Sequence, residues 1–246
     1  MQPATSNSRE RTALRVGGLS TIVFALATVL WFALEIMPAN LGFEDTDSPS
    51  VMLAFLRAHG EIYVYTGLVL LLMSLALTGS VLGAAEAFAS RIGSLSFKAT
   101  SAMGLMGAAF FMLAGGIRIW TAGPLLHIAD LKAEWGESGY VAAQAASQTF
   151  LITGILGLGL WAVGLSVFGG RARAIPLALA LLGVLPAIRL VTGTLGPTGL
   201  IGDSEAVWIL SLLAIPGTSL WCLLLGLVLL RRGYASATGE AEFLPA

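Results

Sequence analysis

The chain has 246 residues, of which 57% are hydrophobic and 11% are charged, and its mean hydropathy is +0.87. Soluble domains are about a quarter charged, so this composition excludes an ordinary soluble enzyme, a disordered protein and a disulfide-rich scaffold. A formal net charge of −1 leaves no basic surface for nucleic acid. We therefore expect an all-α, polytopic membrane protein with no nucleic-acid partner.

Six apolar stretches each have the length that a helix needs to cross a bilayer. They cover residues 16–37, 62–85, 99–122, 141–168, 174–195 and 206–230. A transmembrane β-barrel would instead show short segments of alternating hydropathy. The sequence predicts one bundle of six transmembrane helices over residues 16–232, preceded by a segment at 1–15 and followed by a flexible tail at 233–246.

The basic residues between the spans predict the orientation. Nine of the 13 Lys and Arg residues fall on one side, whereas only Arg57 and Lys132 fall on the other. Because Lys and Arg collect in cytoplasmic loops, we expect both termini in the cytoplasm and the protein in a bacterial plasma (inner) membrane.

Three connecting segments have apolar residues at helical spacing. They lie at 51–59, 85–95 and 125–135. Amphipathic segments of this kind lie in the membrane interface with the apolar face down, so we predict three surface-lying helices.

Three ionisable residues lie within the spans: Glu35, Arg118 and Arg189. A charge in the hydrocarbon region is costly and selects a partner. Glu35 can pair with only one arginine, and the sequence does not show which. One positive charge then remains, which predicts a site for an anionic ligand in the outer leaflet, because a guanidinium binds carboxylate or phosphate in a fork.

Polar and aromatic residues at similar depth are candidates for the walls of this site. We include Trp31, Trp120 and Gln148 as ligand-binding candidates, together with Tyr63, Tyr65, Trp208 and Gln144. The alternative interpretation is structural. In that case the arginines snorkel to lipid phosphates, the aromatic residues form an interface belt, and the glutamines bind a neighbouring helix.

The third and fifth spans end in a similar pattern. Ile117-Arg118-x-x-Thr121 and Ile188-Arg189-x-x-Thr192 each follow a cytoplasmic basic residue by about twenty positions. This spacing places both arginines in the outer third of the membrane. It would also fit a helical hairpin that has been repeated, although apolar sequences often resemble one another by chance.

Metal and enzyme chemistry have little support in the sequence. His59 and His127 lie just outside the spans, and nothing in their spacing brings them together. They remain the only histidine candidates for a metal site. No histidine lies within a span, which disfavours haem and most intramembrane hydrolases. We expect no cofactor, and Cys222 is a packing residue.

The fourth and fifth spans carry a recognisable pattern. It consists of Gly157-Leu158-Gly159-Leu160-Trp161, Gly164, Arg171 or Arg173, Ile175-Pro176 and Leu182-Gly183. This pattern resembles that of an uncharacterised family of bacterial six-span membrane proteins. The resemblance implies a six-span fold and assigns no active-site residue.

These observations favour a non-enzymatic membrane protein that binds a lipid or an anionic amphipathic ligand, or that serves as an accessory subunit. A protein partner or a second copy of the chain would then be expected. One alternative is a small secondary transporter or channel for an organic anion. Another is an intramembrane enzyme that uses Glu35.

Overall fold

The computed structural model describes residues 4–43, 48–89, 92, 95–196 and 205–238. Over these residues the chain is helical and contains no strand. The helices are α1 (Ala4–Glu35), α2 (Met37–Asn40), α3 (Pro49–Phe88), α4 (Leu95–Ala122), α5 (Pro124–Leu131), α6 (Ala133–Arg171), α7 (Leu177–Leu181), α8 (Val184–Leu195) and α9 (Glu205–Thr238).

Six helical segments of the described chain are long and apolar enough to cross a membrane, as expected for a multi-pass membrane protein. They are α1 with α2, α3, α4, α6, α7 with α8, and α9. The helices extend beyond the predicted spans. Residue 4 already lies in α1, and α9 continues to Thr238, so the tail predicted to be flexible from Gly233 begins as helix. Residues 239–246 lie outside the described part.

The six spans form a ring in chain order. α1 packs against α3 and α9, α3 against α4, α4 against α6, α6 against α8, and α8 against α9. The first and last spans therefore close the ring. Arg15 Nε donates to the Gly233 carbonyl at 3.2 Å, which places the start of α1 and the end of α9 at the same end of the bundle. We call this the terminal end and the opposite one the Glu35 end.

Glycines bring the helix backbones together. A Cβ on Gly83 of α3 would lie 2.4 Å from the Gly17 Cα of α1, and a Cβ on Gly157 of α6 would lie 2.6 Å from the Gly107 Cα of α4. Similar contacts join Gly67 to Gly115 and Gly18 to Gly226. Lipid tails are as apolar as the side chains, so helices in a membrane gain stability from close approach rather than from burial of apolar surface.

Large side chains fill the interior of the ring. The Phe24 and Phe111 rings lie 6.3 Å apart, and the Trp161 and Trp221 rings meet edge to face at 6.2 Å. All four are at most 1% exposed. Trp221 also donates from Nε1 to the Leu179 carbonyl at 3.1 Å, which ties α9 to α7.

The fifth span is broken into α7 and α8. Pro186 has no N–H to donate to the carbonyl of Leu182, and its ring crowds that carbonyl. The backbone instead tightens, with hydrogen bonds from Leu185 N to Leu182 O at 3.0 Å and from Gly183 N to Ala180 O at 3.1 Å. The sequence predicted one continuous helix over 174–195, but Pro186 interrupts it. Pro216, by contrast, lies inside the continuous helix α9.

The predicted segment at 51–59 is helical and is joined to the rest of α3 across a kink, but it does not lie on a membrane surface. The backbone leaves helical geometry at His59, with φ −139° and ψ 30°, which redirects the helix. The apolar side chains of residues 51–59 pack against α5 in a second hydrophobic cluster, which is separate from the main core. This segment and α5 together cap the Glu35 end.

The predicted surface helix at 85–95 is also partly a continuation of a span. α3 runs to Phe88, whose side chain is 1% exposed, and α4 begins at Leu95. Ala87 and Phe88 therefore face the core and not a membrane surface. Residues 90–91 and 93–94 lie outside the described part.

The glycine contact between α4 and α6 can be tested with alanine. A Cβ on Gly107 would lie 2.9 Å from two backbone atoms of α6, whereas Gly116 of the same helix has nothing within 4 Å. Both substitutions raise the helix propensity by about 1 kcal/mol. Through overpacking, Gly107→Ala should lower the free energy of unfolding by about 1–3 kcal/mol, whereas Gly116→Ala should not lower it. Thermal unfolding in detergent should show a lower midpoint for Gly107→Ala alone, and equal midpoints would contradict this packing.

Candidate functional site

A cavity of about 360 Å³ opens at the Glu35 end of the bundle. It lies between the end of α1, the short helix α2, the first turns of α3, and the parts of α4 and α6 at this end. Its volume is within the range of small-molecule sites. The lining residues are Leu34, Glu35, Pro38, Ala39, Phe43, Met52, Ile62, Tyr63, Thr66, Arg118 and Gln144.

A buried ion pair forms one wall of this cavity. Arg118 Nη2 lies 2.7 Å from Glu35 Oε1, so the structure pairs Glu35 with Arg118. The Arg118 side chain is 6% exposed and the Glu35 side chain is 27% exposed. The second carboxylate oxygen, Glu35 Oε2, is buried and has no hydrogen-bond partner among the described residues.

Three helices hold the Arg118 guanidinium in place. Besides Glu35 on α1, Arg118 Nε donates to Ser147 Oγ on α6 at 3.4 Å, and its guanidinium lies 5.6 Å from the centre of the Tyr63 ring on α3. The Tyr63 hydroxyl lies 3.4 Å from that of Tyr140. A cation over an aromatic face is stabilised by the ring quadrupole. The charge thus links α1, α3, α4 and α6.

The candidate wall residues have different positions. Tyr63 and Gln144 line the cavity, whereas Gln148, one turn further along α6, is not among the lining residues. Trp31 is 5% exposed and belongs to the main core one turn before Glu35, and Trp120 is 41% exposed on the outside of the bundle. Neither tryptophan lines the cavity.

Arg189 is far from this cavity, contrary to the equal depth predicted from the repeated pattern. Arg118 contacts Ser147 of α6, whereas Leu190, next to Arg189, packs on Gly159 of α6. These contact points are twelve residues apart, about 18 Å along a helix. The prediction was wrong because it took the number of residues after Arg171 as the measure of how deep Arg189 lies. Residues after Arg171 form turns, and the span begins only at Leu177.

Arg189 is the thirteenth of the 19 residues of its span, which runs over Leu177–Leu195. Its side chain is buried at 4% exposure. Within the described residues it has no carboxylate within ion-pair distance, and its Nη1 is buried without a hydrogen-bond partner. An intramembrane arginine of this kind is costly, and it is the positive charge that remains after Glu35 has paired with Arg118.

The two histidines lie near the Glu35 end but apart from the cavity lining. His59 stacks on Phe55 with ring centres 5.2 Å apart, and its Nδ1 lies 3.9 Å from Glu61 Oε1. His127 is exposed on α5. Over the described ranges, no three His, Cys, Asp or Glu side chains are grouped to hold a metal ion.

Sequence reasoning missed the apolar part of the cavity. Phe43, Met52 and Ile62 lie on the loop side of the second span, and we did not associate them with Glu35. The apolar spacing at 51–59 was visible in the sequence. It was assigned to a membrane surface, whereas it packs inside the cap.

Comparison with known proteins adds no identification. No family model matches the chain, and neither a curated protein nor a solved structure is detectably similar. The resemblance based on the Gly157–Gly183 pattern stays a hypothesis.

The two arginines should respond in opposite ways to the same substitution. Arg118→Met leaves the Glu35 carboxylate without its partner, and we expect it to lose about 1–3 kcal/mol of stability. Arg189→Met removes a buried cation that has no carboxylate partner in the described structure, so stability should be unchanged or higher.

Thermal unfolding of both variants in the same detergent tests this contrast. Methionine has a similar length to the arginine stem, so the two variants differ mainly in what the lost charge contacted. A loss for Arg189→Met as large as that for Arg118→Met would show that Arg189 has a stabilising partner.

Proposed function

We propose that this protein is a non-enzymatic plasma-membrane protein that binds a lipid or an amphipathic small molecule in the cavity at the Glu35 end. It would act as a ligand-binding protein or as an accessory subunit of a membrane assembly. The observation that carries the proposal is the cavity itself, which places a buried ion pair beside apolar side chains. Such a combination suits a ligand with a polar head and an apolar tail.

The packed interior favours binding over transport. Beyond the cavity, the middle of the ring is filled by Phe24, Phe111, Met73, Leu77 and Trp161, each at most 1% exposed. A transporter or channel for an organic anion would need a polar path through this region. We therefore place the ligand at one end of the bundle.

The ligand is not assigned a negative charge. Arg118 is neutralised by Glu35 at 2.7 Å, so the guanidinium that would have gripped an anion already has a carboxylate. The intramembrane-enzyme alternative has no feature in its favour here, because the Glu35 carboxylate is held in this pair.

Native mass spectrometry of the gently solubilised protein tests ligand binding. Gln144→Trp places a large ring in the cavity, and Gln148→Trp adds the same ring one turn away on α6, outside the lining. Neither glutamine is part of the ion pair. We expect wild type and Gln148→Trp to carry an added mass that Gln144→Trp lacks. Wild-type protein without an added mass, from membranes that contain its natural lipids, would contradict the proposal.

Cysteine labelling tests the orientation that we propose, with both termini in the cytoplasm. Ser8 lies at the terminal end and Ser138 at the Glu35 end, and both are exposed. The native Cys222 is fully buried and should give no background signal. In intact cells, a membrane-impermeant maleimide should label Ser138→Cys and spare Ser8→Cys. The reverse pattern would place the cavity on the cytoplasmic side.

A further inference from the structure

The chemistry of the cavity wall limits which head group can bind, if the proposed function holds. Glu35 and Arg118 both line the cavity, and Arg118 Nη2 donates to Glu35 Oε1 at 2.7 Å. The second carboxylate oxygen, Glu35 Oε2, is buried and has no hydrogen-bond partner among the described residues. A buried acceptor without a partner is costly, so a ligand that donates a hydrogen bond to it would be favoured.

The other polar groups of the wall add acceptors. Thr66 donates its hydroxyl proton to the Ile62 carbonyl at 2.7 Å, so its oxygen can only accept a further hydrogen bond. Gln144 offers one carbonyl oxygen and one amide NH₂.

Apolar side chains surround this polar wall. Leu34, Phe43, Met52 and Ile62 line the same cavity from α1, the loop after α2 and α3. They can pack against the first carbons of a hydrocarbon chain. The apolar part of the ligand gains from leaving water, and the polar groups select the head.

We propose that the cavity binds an amphiphile whose head group donates hydrogen bonds, as a hydroxyl or an ammonium does, and that it rejects carboxylate and phosphate heads. This inference rests on the proposed function and reverses the anionic ligand expected from the sequence. A donor satisfies Glu35 Oε2, which has no hydrogen-bond partner among the described residues, whereas an anion has no hydrogen to give it and brings like charges together.

Competition between head groups on the same hydrocarbon chain tests the proposal. The probe is tritiated monodecanoylglycerol, bound to the full-length protein in nanodiscs, with Gln144→Trp as the measure of non-specific binding. The competitors are decanol, decylamine and decanoate at neutral pH, where the amine is protonated and the acid is ionised. They are compared at equal concentration in the nanodisc, because they partition differently.

We expect decanol, decylamine or both to displace the probe, and decanoate to be at least about tenfold weaker, as the loss of a hydrogen bond to a charged group implies. The stronger of the first two identifies the head group as hydroxyl or ammonium. If decanoate displaces the probe as strongly as decanol and decylamine do, the inference is overturned, but the proposed function is not. A probe that binds no better than to Gln144→Trp would contradict the proposed function itself.

Substitution of the ion pair adds a readout that a purely structural role would not change. Glu35→Gln leaves an uncompensated Arg118, so decanoate should gain about tenfold relative to decanol. Arg118→Gln instead leaves the Glu35 carboxylate without its counter-ion, so decylamine should bind more strongly relative to decanol. The test can then still be made if one of the two variants fails to fold. Glu61→Gln removes an exposed carboxylate at the same end and should leave the order of competitors unchanged. An unchanged order in a folded, binding Glu35→Gln would overturn the inference.

Discussion

Close approach of helix backbones is the constraint on which the rest of this structure depends. In lipid, burial of apolar side chains does little to hold helices together, so stability comes from contact between backbones and from buried polar pairs. The glycines at positions 17 and 83, 67 and 115, 107 and 157, and 18 and 226 supply such contact along four sides of the ring. The fifth span lacks reciprocal glycine pairs of this kind, and it is also the span that Pro186 breaks.

The cavity lies where this close contact ends. The α1–α3 glycine contacts are at Gly17, Gly79 and Gly83, all toward the terminal end. At the opposite end the same two helices contribute Leu34, Glu35, Ile62 and Tyr63 to the cavity walls. Here the ion pair from α1 to α4 takes the place of backbone contact. Because Arg118 also contacts Ser147 and Tyr63, one charged group orients four helices around an open space.

The sequence predicted the spans well because apolar length is a property of each helix alone. It could not predict the partner of Glu35, since that depends on which helices are neighbours around the ring. The predicted depth of Arg189 was wrong for a related reason. The residues after Arg171 form turns, so they do not extend the helix across the membrane. Pro186 is a usable signal for the broken span. The break at His59 agrees with the predicted boundary between the segment 51–59 and the span from 62, whereas the contact of Met52 with the cavity depends on tertiary packing that the local pattern does not show.

The two arginines show how burial and pairing separate structural from functional charge. Arg118 is paired, and its counter-ion faces the cavity, so the pair gives the site polarity without a net charge. A buried pair of this kind adds little net stability, because desolvation offsets much of the attraction, and an apolar pair could have closed the gap between α1 and α4. A charged pair at the wall of an open cavity is instead suited to selecting the head group of a ligand. Arg189, buried within the fifth span without a carboxylate partner in the described structure, does not share this arrangement, even though the surrounding sequence is nearly the same.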